Sequence, residues 1–211
     1  MRILTVGAVA LVWAGSAVAN PVCGPGQAKY GAVPGAKCAP VDGAIAKRSP
    51  DGMCAGGKYG DSRSNGRSHE GVDLLAAIGD SVYAAEAGTV VMVGYFPRTS
   101  GYQVNIRHGS GQVSRYFHLK DETTTPAAGT VVAAGARVGI SDVTGNAKNT
   151  SCPHLHFEVR TAAYDPGEEN ANWTFGKTKD PYVWLTNQGN SGSTTPATTT
   201  SDATMSLRAP Q

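Results

Sequence analysis

The sequence predicts an all-β domain, a compact antiparallel sheet sandwich or partly open barrel, between an irregular N-terminal segment and a disordered C-terminal tail. Three observations lead there. Glycine is abundant, at 27 of 211 residues, while charged residues make up only 16%. That balance suits a turn-rich β protein better than a helical one. Short segments rich in β-branched residues recur between glycine turns, from Val82 to Arg160. No stretch shows a pattern that predicts a helix.

The ends of the chain separate first. Arg2, the apolar run Ile3 to Gly15 and the small-x-small triplet Ala17-Val18-Ala19 read as a secretory signal over residues 1–19, cut after Ala19. The apolar run is too short for a comfortable membrane span. The chain is therefore expected to be exported, periplasmic or secreted, with no stable membrane insertion after cleavage. Cys23 follows Asn20-Pro21-Val22 rather than a small-residue box, which argues against a lipid anchor. Residues 20–57 are rich in Gly, Pro and Ala without a period, and residues 187–211 are mostly Ser, Thr, Gly, Ala and Pro. The tail cannot bury enough apolar area to order itself. The formal charge of +2, from 18 Lys+Arg against 16 Asp+Glu, excludes a strongly electropositive nucleic-acid binder.

Four cysteines in an exported chain point to disulfides. Loop closure favours near neighbours, so Cys23–Cys38 is the preferred pair. Cys54 then joins Cys152, two residues before His154. No CxxC spacing supports a metal-thiolate site.

The domain proper is expected over residues 58–186. Strands are predicted at Val82–Ala85 and Thr89–Tyr95. A hairpin follows, from Tyr102–His108 to Gln112–Leu119 across Gly109-Ser110-Gly111. Alternation places Ser114, Tyr116 and His118 on one face of the second hairpin strand, and Val113, Arg115 and Phe117 on the other. Two more short strands are expected at Val131–Ala133 and Arg137–Ile140. Asp180 to Leu185 is a short apolar closing segment.

The chemistry gathers on Ser151–Arg160. As a strand, this stretch sends Leu155, Phe157 and Val159 to a core face. His154, His156, Glu158 and Arg160 take the opposite face, where two imidazoles can reach one point. Upstream, His69 and Asp73 stand four apart, and Gly71 and Val72 argue against a helix there. A catalytic zinc site needs three protein ligands and an open position. His69, Asp73 and one of the pair His154/His156 supply such a set. The remaining histidines can then move a proton or donate to a developing oxyanion.

Three phrases carry a family resemblance: His69-Glu70-Gly71-Val72-Asp73, Arg115-Tyr116-Phe117-His118-Leu119 and His154-Leu155-His156-Phe157-Glu158. In this order they resemble the signatures of the lysostaphin/LytM-type zinc peptidases, over about residues 58–186. The resemblance implies the family's compact antiparallel fold, the duplicated hybrid motif, with a groove across the metal. It implies one Zn²⁺ held by His69, Asp73 and His156. It implies His154 as general base and His118 as transition-state stabiliser, two roles that can be exchanged. It also implies peptidoglycan cross-links as substrate. His108 matches no catalytic position and reads as a hairpin-end residue. Tyr116 reads as packing, Arg67 as a solvated loop residue, and Glu158 as the group that orients the histidine strand. Family members often carry Ala or Gly where Phe117 stands, and Cys152 lies outside the general signature. Both departures bear on substrate preference. The alternative reading is a non-catalytic, wall-binding activator of another hydrolase, and a regulatory partner of unknown identity fits either reading.

Overall fold

A computed structural model describes residues 23, 37–41, 57–63, 66–161 and 177–186. The expected signal (1–19), Cys54 and the tail (187–211) lie outside these, as does most of 20–57. Nine strands and a short helix follow in order: β1 (Gly71–Leu75), β2 (Ser81–Tyr83), β3 (Gly88–Phe96), β4 (Gly101–His108), β5 (Val113–Leu119), β6 (Val131–Val132), β7 (Arg137–Ile140), β8 (His154–Arg160), β9 (Thr178–Lys179) and α1 (Pro181–Thr186).

Seven strands make one antiparallel sheet in the order β1-β8-β5-β4-β3-β6, with β9 added to the end of β8. Strands β2 and β7 form a separate two-stranded sheet. The large sheet is not closed into a barrel, in keeping with the expected antiparallel sandwich or partly open barrel. The two short strands expected in succession, β6 and β7, do not pair with each other. The first joins β3 and the second joins β2.

The core lies on the face that the period-two pattern marks. Leu155, Phe157 and Val159 of β8 are fully buried, with Val72 and Leu74 from β1, Val104 and Ile106 from β4, and Tyr116 from β5. Each such side chain contributes roughly 1.5–3 kcal/mol through removal from water. The hairpin turn forms as expected, closed by bonds from His108 N–H to Gln112 and from Gly111 N–H to His108.

The short apolar closing segment forms a helix. The Asp180 carboxylate accepts hydrogen bonds from the N–H groups of Tyr182 and Val183, at 2.8 and 3.4 Å, and Pro181 opens the helix. Asp followed by Pro is a helix-start signal. Six residues were too few for a period to show. Trp184 and Leu185 fix this helix against the core.

The end of β5 departs from alternation, and this corrects the predicted face. Tyr102 pairs with Leu119 while Val104 pairs with Tyr116, so β5 carries one residue more than β4 across this interval. His118 sits there at φ 60°, the left-handed region. The bulge keeps both Tyr116 and Leu119 in the core, although they are three apart. Tyr116 and His118 therefore do not share a face. Tyr116 packs on Phe157 with ring centroids 5.2 Å apart, as its packing reading anticipated.

Candidate metal centre

The register of β1 on β8 brings the two halves of the site together. Asp73 pairs directly with His156, and Gly71 pairs with Glu158. A β-carbon on Gly71 would stand 2.6 Å from the Phe157 carbonyl oxygen and 2.7 Å from His156 Nε2. Only glycine permits this approach of strand to imidazole. His69 precedes β1, held by hydrogen bonds from its own N–H to the Asp61 carbonyl and from Gly60 N–H to its carbonyl.

Three donor atoms converge. Asp73 Oδ1 lies 2.9 Å from His156 Nδ1 and 3.2 Å from His69 Nε2, and the two imidazole nitrogens are 3.0 Å apart. A tetrahedral zinc ion with bonds of about 2.0–2.1 Å separates its ligand atoms by about 3.3 Å. The triangle therefore fits a zinc ion in size and in donor chemistry. These three residues also form the only such group among the described residues.

Each histidine is fixed in one orientation by its other ring nitrogen. His69 Nδ1–H donates to the Lys58 carbonyl at 2.8 Å. His156 Nε2–H donates to Glu158 Oε1 at 3.0 Å. His154 Nδ1–H donates to the Cys152 carbonyl at 2.7 Å, and His118 Nδ1–H to the Thr144 carbonyl at 2.9 Å. Such bonds set the tautomer and the aim of the ring. His154 Nε2 then comes within 3.6 Å of Asp73 Oδ1. The His118 and His154 rings meet edge to face at 5.2 Å. All five residues singled out from the sequence line one open groove of about 420 Å³.

Electrostatics follow from burial and contact. Burial disfavours charge on His156, but hydrogen bonds to Asp73 and Glu158 outweigh it and push its pKa up to about 9. Burial lowers the pKa of His69, which the bond to Asp73 offsets only in part. Burial also opposes charge on Asp73, yet contacts from His156 and His69 hold its carboxyl far below the usual range. His118 is pushed down to about 3, first by burial and then by the nearby His156 and His154. These contacts favour the protonated form of His156, and a cation held by the same three atoms would take that proton's place.

Glu158 orients His156 as expected, and it belongs to a buried network. Burial opposes its charge, but Arg115 at 2.8 Å, then the bond from His156, hold its pKa at about 2. Arg160 lies 3.6 Å from both Glu158 and Glu70. Arg115 also covers the face of Phe117 at 4.6 Å, and Phe117 stacks on His156 at 5.0 Å.

One site residue escaped the sequence reading. Arg63 Nη2 donates to Asp73 Oδ2 at 3.0 Å, holding the carboxylate so that Oδ1 faces the histidines. It stood in a stretch that reads as an ordinary polar loop, and no spacing rule connects it to Asp73. His108 stays outside the groove, as expected, buried against Trp184 and bonded to Ala87 and Ser114. The pair Cys23–Cys38 forms as preferred. Cys152 is also disulfide-bonded.

An open antiparallel sheet with a His/Asp/His triangle in a groove makes a candidate metal-binding domain. Residues 67–170 match the model of Peptidase family M23, and the chain carries a domain of that family. Over 91 residues it is 37% identical to the peptidoglycan DD-endopeptidase ShyA of Vibrio cholerae, a match covering 43% of this chain and 20% of that protein. Over 97 residues it is 35% identical to the lipoprotein NlpD/LppB homolog of Pseudomonas aeruginosa, covering 46% of this chain and 31% of that protein. The chain thus spans a fifth to a third of the length of these relatives. Among solved structures, the catalytic domain of lysostaphin from Staphylococcus simulans superposes with a TM-score of 0.50 at 28% identity, covering 61% of this chain and 88% of that one.

Proposed function

We propose that this chain is an exported zinc endopeptidase that hydrolyses peptide cross-links of bacterial peptidoglycan. One observation carries the reading. Three donor atoms lie 2.9–3.2 Å from one another at the floor of an open groove, and two further histidines face the same space. The match to the DD-endopeptidase of Vibrio cholerae supports the wall peptide as substrate.

His69, Asp73 and His156 hold the metal. When bound, zinc supplies a Lewis acid that activates water near neutral pH and polarises a carbonyl. Arg63 and Glu158 keep two of the ligands aimed. His118 and His154 present equivalent bare nitrogens, because each has its Nδ1 proton committed to a backbone carbonyl. Either can accept the proton of the attacking water. Once protonated, that histidine becomes a donor, able to bond the developing oxyanion or to deliver the proton to the leaving amine. Both rings share this form, so the base and stabiliser roles can be exchanged between them. His154, whose Nε2 comes within 3.6 Å of Asp73 Oδ1, is assigned as base, and His118 acts as stabiliser in the form that carries a proton on Nε2.

The test uses the mature chain from Asn20 with disulfides intact, incubated with purified peptidoglycan and defined cross-linked muropeptides and read by mass spectrometry. A metal-dependent peptide cut is expected. His156→Ala should lose zinc and about a thousandfold in kcat/KM, the scale of several kcal/mol of transition-state stabilisation. A folded, zinc-loaded protein that cuts no wall peptide would overturn the proposal.

A further inference from the structure

We propose that Thr144 is a positioning residue: its hydroxyl pins the bulge at the end of β5, and its carbonyl then holds His118 with Nε2 turned to the groove. This rests on the reading of His118 as transition-state stabiliser and deepens it.

Thr144 stands at the N-cap of a short 3₁₀ helix, Gly145–Asn149. A threonine there commonly accepts a bond from the first turn of its own helix. The Thr144 hydroxyl makes no such capping bond. It is used across the sheet instead. Its oxygen accepts from Tyr102 N–H at 3.1 Å, and its proton goes to the Leu119 carbonyl at 2.7 Å. Tyr102 and Leu119 are partners across β4 and β5, at the point where the register shifts. A hydroxyl can accept and donate at once, so one side chain ties both strands at the bulge.

The same residue meets His118 through its backbone. The Thr144 carbonyl accepts from His118 Nδ1–H at 2.9 Å. Two residues earlier, Asp142 N–H donates to the His118 carbonyl at 2.9 Å. Residues 142 to 144 thus grip His118 by backbone and by ring. The fit is close, because a β-carbon on Gly101 would strike the Thr144 hydroxyl oxygen. Glycine leaves the space that the hydroxyl needs.

His118 sits at φ 60°, a conformation that its neighbours must enforce. The acceptor at Nδ1 decides which nitrogen carries the resting proton and which faces the substrate. Valine has the shape of threonine but offers only methyl groups to Tyr102 N–H and to the Leu119 carbonyl. Two polar groups would lose their partner, and the Thr144 carbonyl would lose its anchor.

The test compares T144V and T144S with the parent, as zinc-loaded chain with disulfides intact. Two-bond nitrogen–proton couplings in ¹⁵N-histidine-labelled protein locate the His118 ring proton, assigned by the signal lost in His118→Ala. In the parent and in T144S the proton should sit on Nδ1. In T144V a measurable share should move to Nε2. On cross-linked muropeptides T144V should lose about 10- to 100-fold in kcat, the scale of a misplaced catalytic group, with KM within about twofold and zinc still bound. T144S, which keeps the hydroxyl, should recover most of that loss. An unchanged His118 tautomer or an unchanged kcat in T144V would overturn the proposal, as would a T144S protein as impaired as T144V. Where T144V does not fold, T144A takes its place with the same expected readings. If neither folds, the hydroxyl serves the fold as a whole and the positioning role is refuted. If the parent cuts no wall peptide, the endopeptidase reading fails, and the position of the His118 proton decides the role of Thr144 alone.

Discussion

Strands β8 and β5 lie side by side, and both deliver histidines to one groove, yet they do so by opposite means. Strand β8 keeps strict alternation, so Leu155 and Phe157 enter the core while His154 and His156 face the metal triangle. Strand β5 reaches the groove by breaking alternation. An extra residue and a left-handed φ of 60° turn His118 away from the course that Tyr116 would set. A left-handed conformation in a side-chain-bearing residue costs about 1–3 kcal/mol and persists only where neighbours enforce it. Here the enforcing contacts are the bonds of His118 to Ser100, Asp142 and Thr144. Gly145 follows at φ 70°, where a β-carbon would strike Gly101 N at 2.2 Å, so the chain that holds His118 requires glycine. Asp73 and His156, two of the proposed ligands, thus sit on regular strands, and His118, the proposed stabiliser, sits on irregular backbone fixed by hydrogen bonds.

The largest expected effect separates the two strands functionally. His118→Ala should lose about 10²- to 10⁴-fold in kcat, the range for a proton-transfer or oxyanion group, while zinc stoichiometry stays at one. Atomic absorption beside muropeptide kinetics checks this. Loss of zinc from that variant would erase the distinction between ligand strand and bulge.

On the β8 side, Glu158→Gln should weaken zinc affinity about 10- to 100-fold, as removal of a group that orients a ligand imidazole does. Competition with a chromogenic chelator reads it. An unchanged affinity would mean that β8 geometry alone aims His156.

The pH dependence is smaller and tests the same ligand. His156 has its pKa raised to about 9, so in metal-stripped protein it is charged at neutral pH. That raised value stabilises the fold fully below the unfolded pKa of about 6.5, and the contribution is lost as pH rises through about 9. Zinc must displace the proton, so apparent affinity should rise about tenfold per pH unit from neutrality towards pH 9, with about one proton released. Calorimetry in buffers of different ionisation enthalpy counts it. Release of no proton near pH 7 would contradict the hydrogen-bonded triangle.

The smallest effect concerns the bulge. His118→Gly should be more stable than His118→Ala by about 1 kcal/mol, because glycine adopts φ 60° without steric cost. Urea unfolding of the two variants measures the difference. Equal stabilities would show that the bulge relaxes when the imidazole is gone.

How much could be read beforehand differs along the chain for physical reasons. The β8 faces were legible because period-two alternation survives in the folded strand. His69 and Asp73 were legible as a spacing, and the family resemblance then selected His156 over His154. The tilt of His118 was not legible, since alternation assumes an unbroken ladder. Arg63 was hidden because its bond to Asp73 closes a ten-residue loop, and no local rule fixes such a contact. The closing helix was hidden by its length, although Asp180-Pro181 carried its start signal.

By itself, the sequence determined which residue types could meet: apolar alternation sets strand faces, glycines permit close approach, and the histidine and aspartate set offers donors that suit zinc. For His69 and His118, tertiary structure alone decided which nitrogen faces the groove. Across the four histidines the choice rests on bonds to the backbone carbonyls of Lys58 and Thr144, which lie 11 and 26 residues away, and to the Cys152 carbonyl and the Glu158 carboxylate, each two residues away. Hydrogen bonding across the fold, rather than residue identity, fixes a tautomer, and with it the direction in which each imidazole can bind or move a proton.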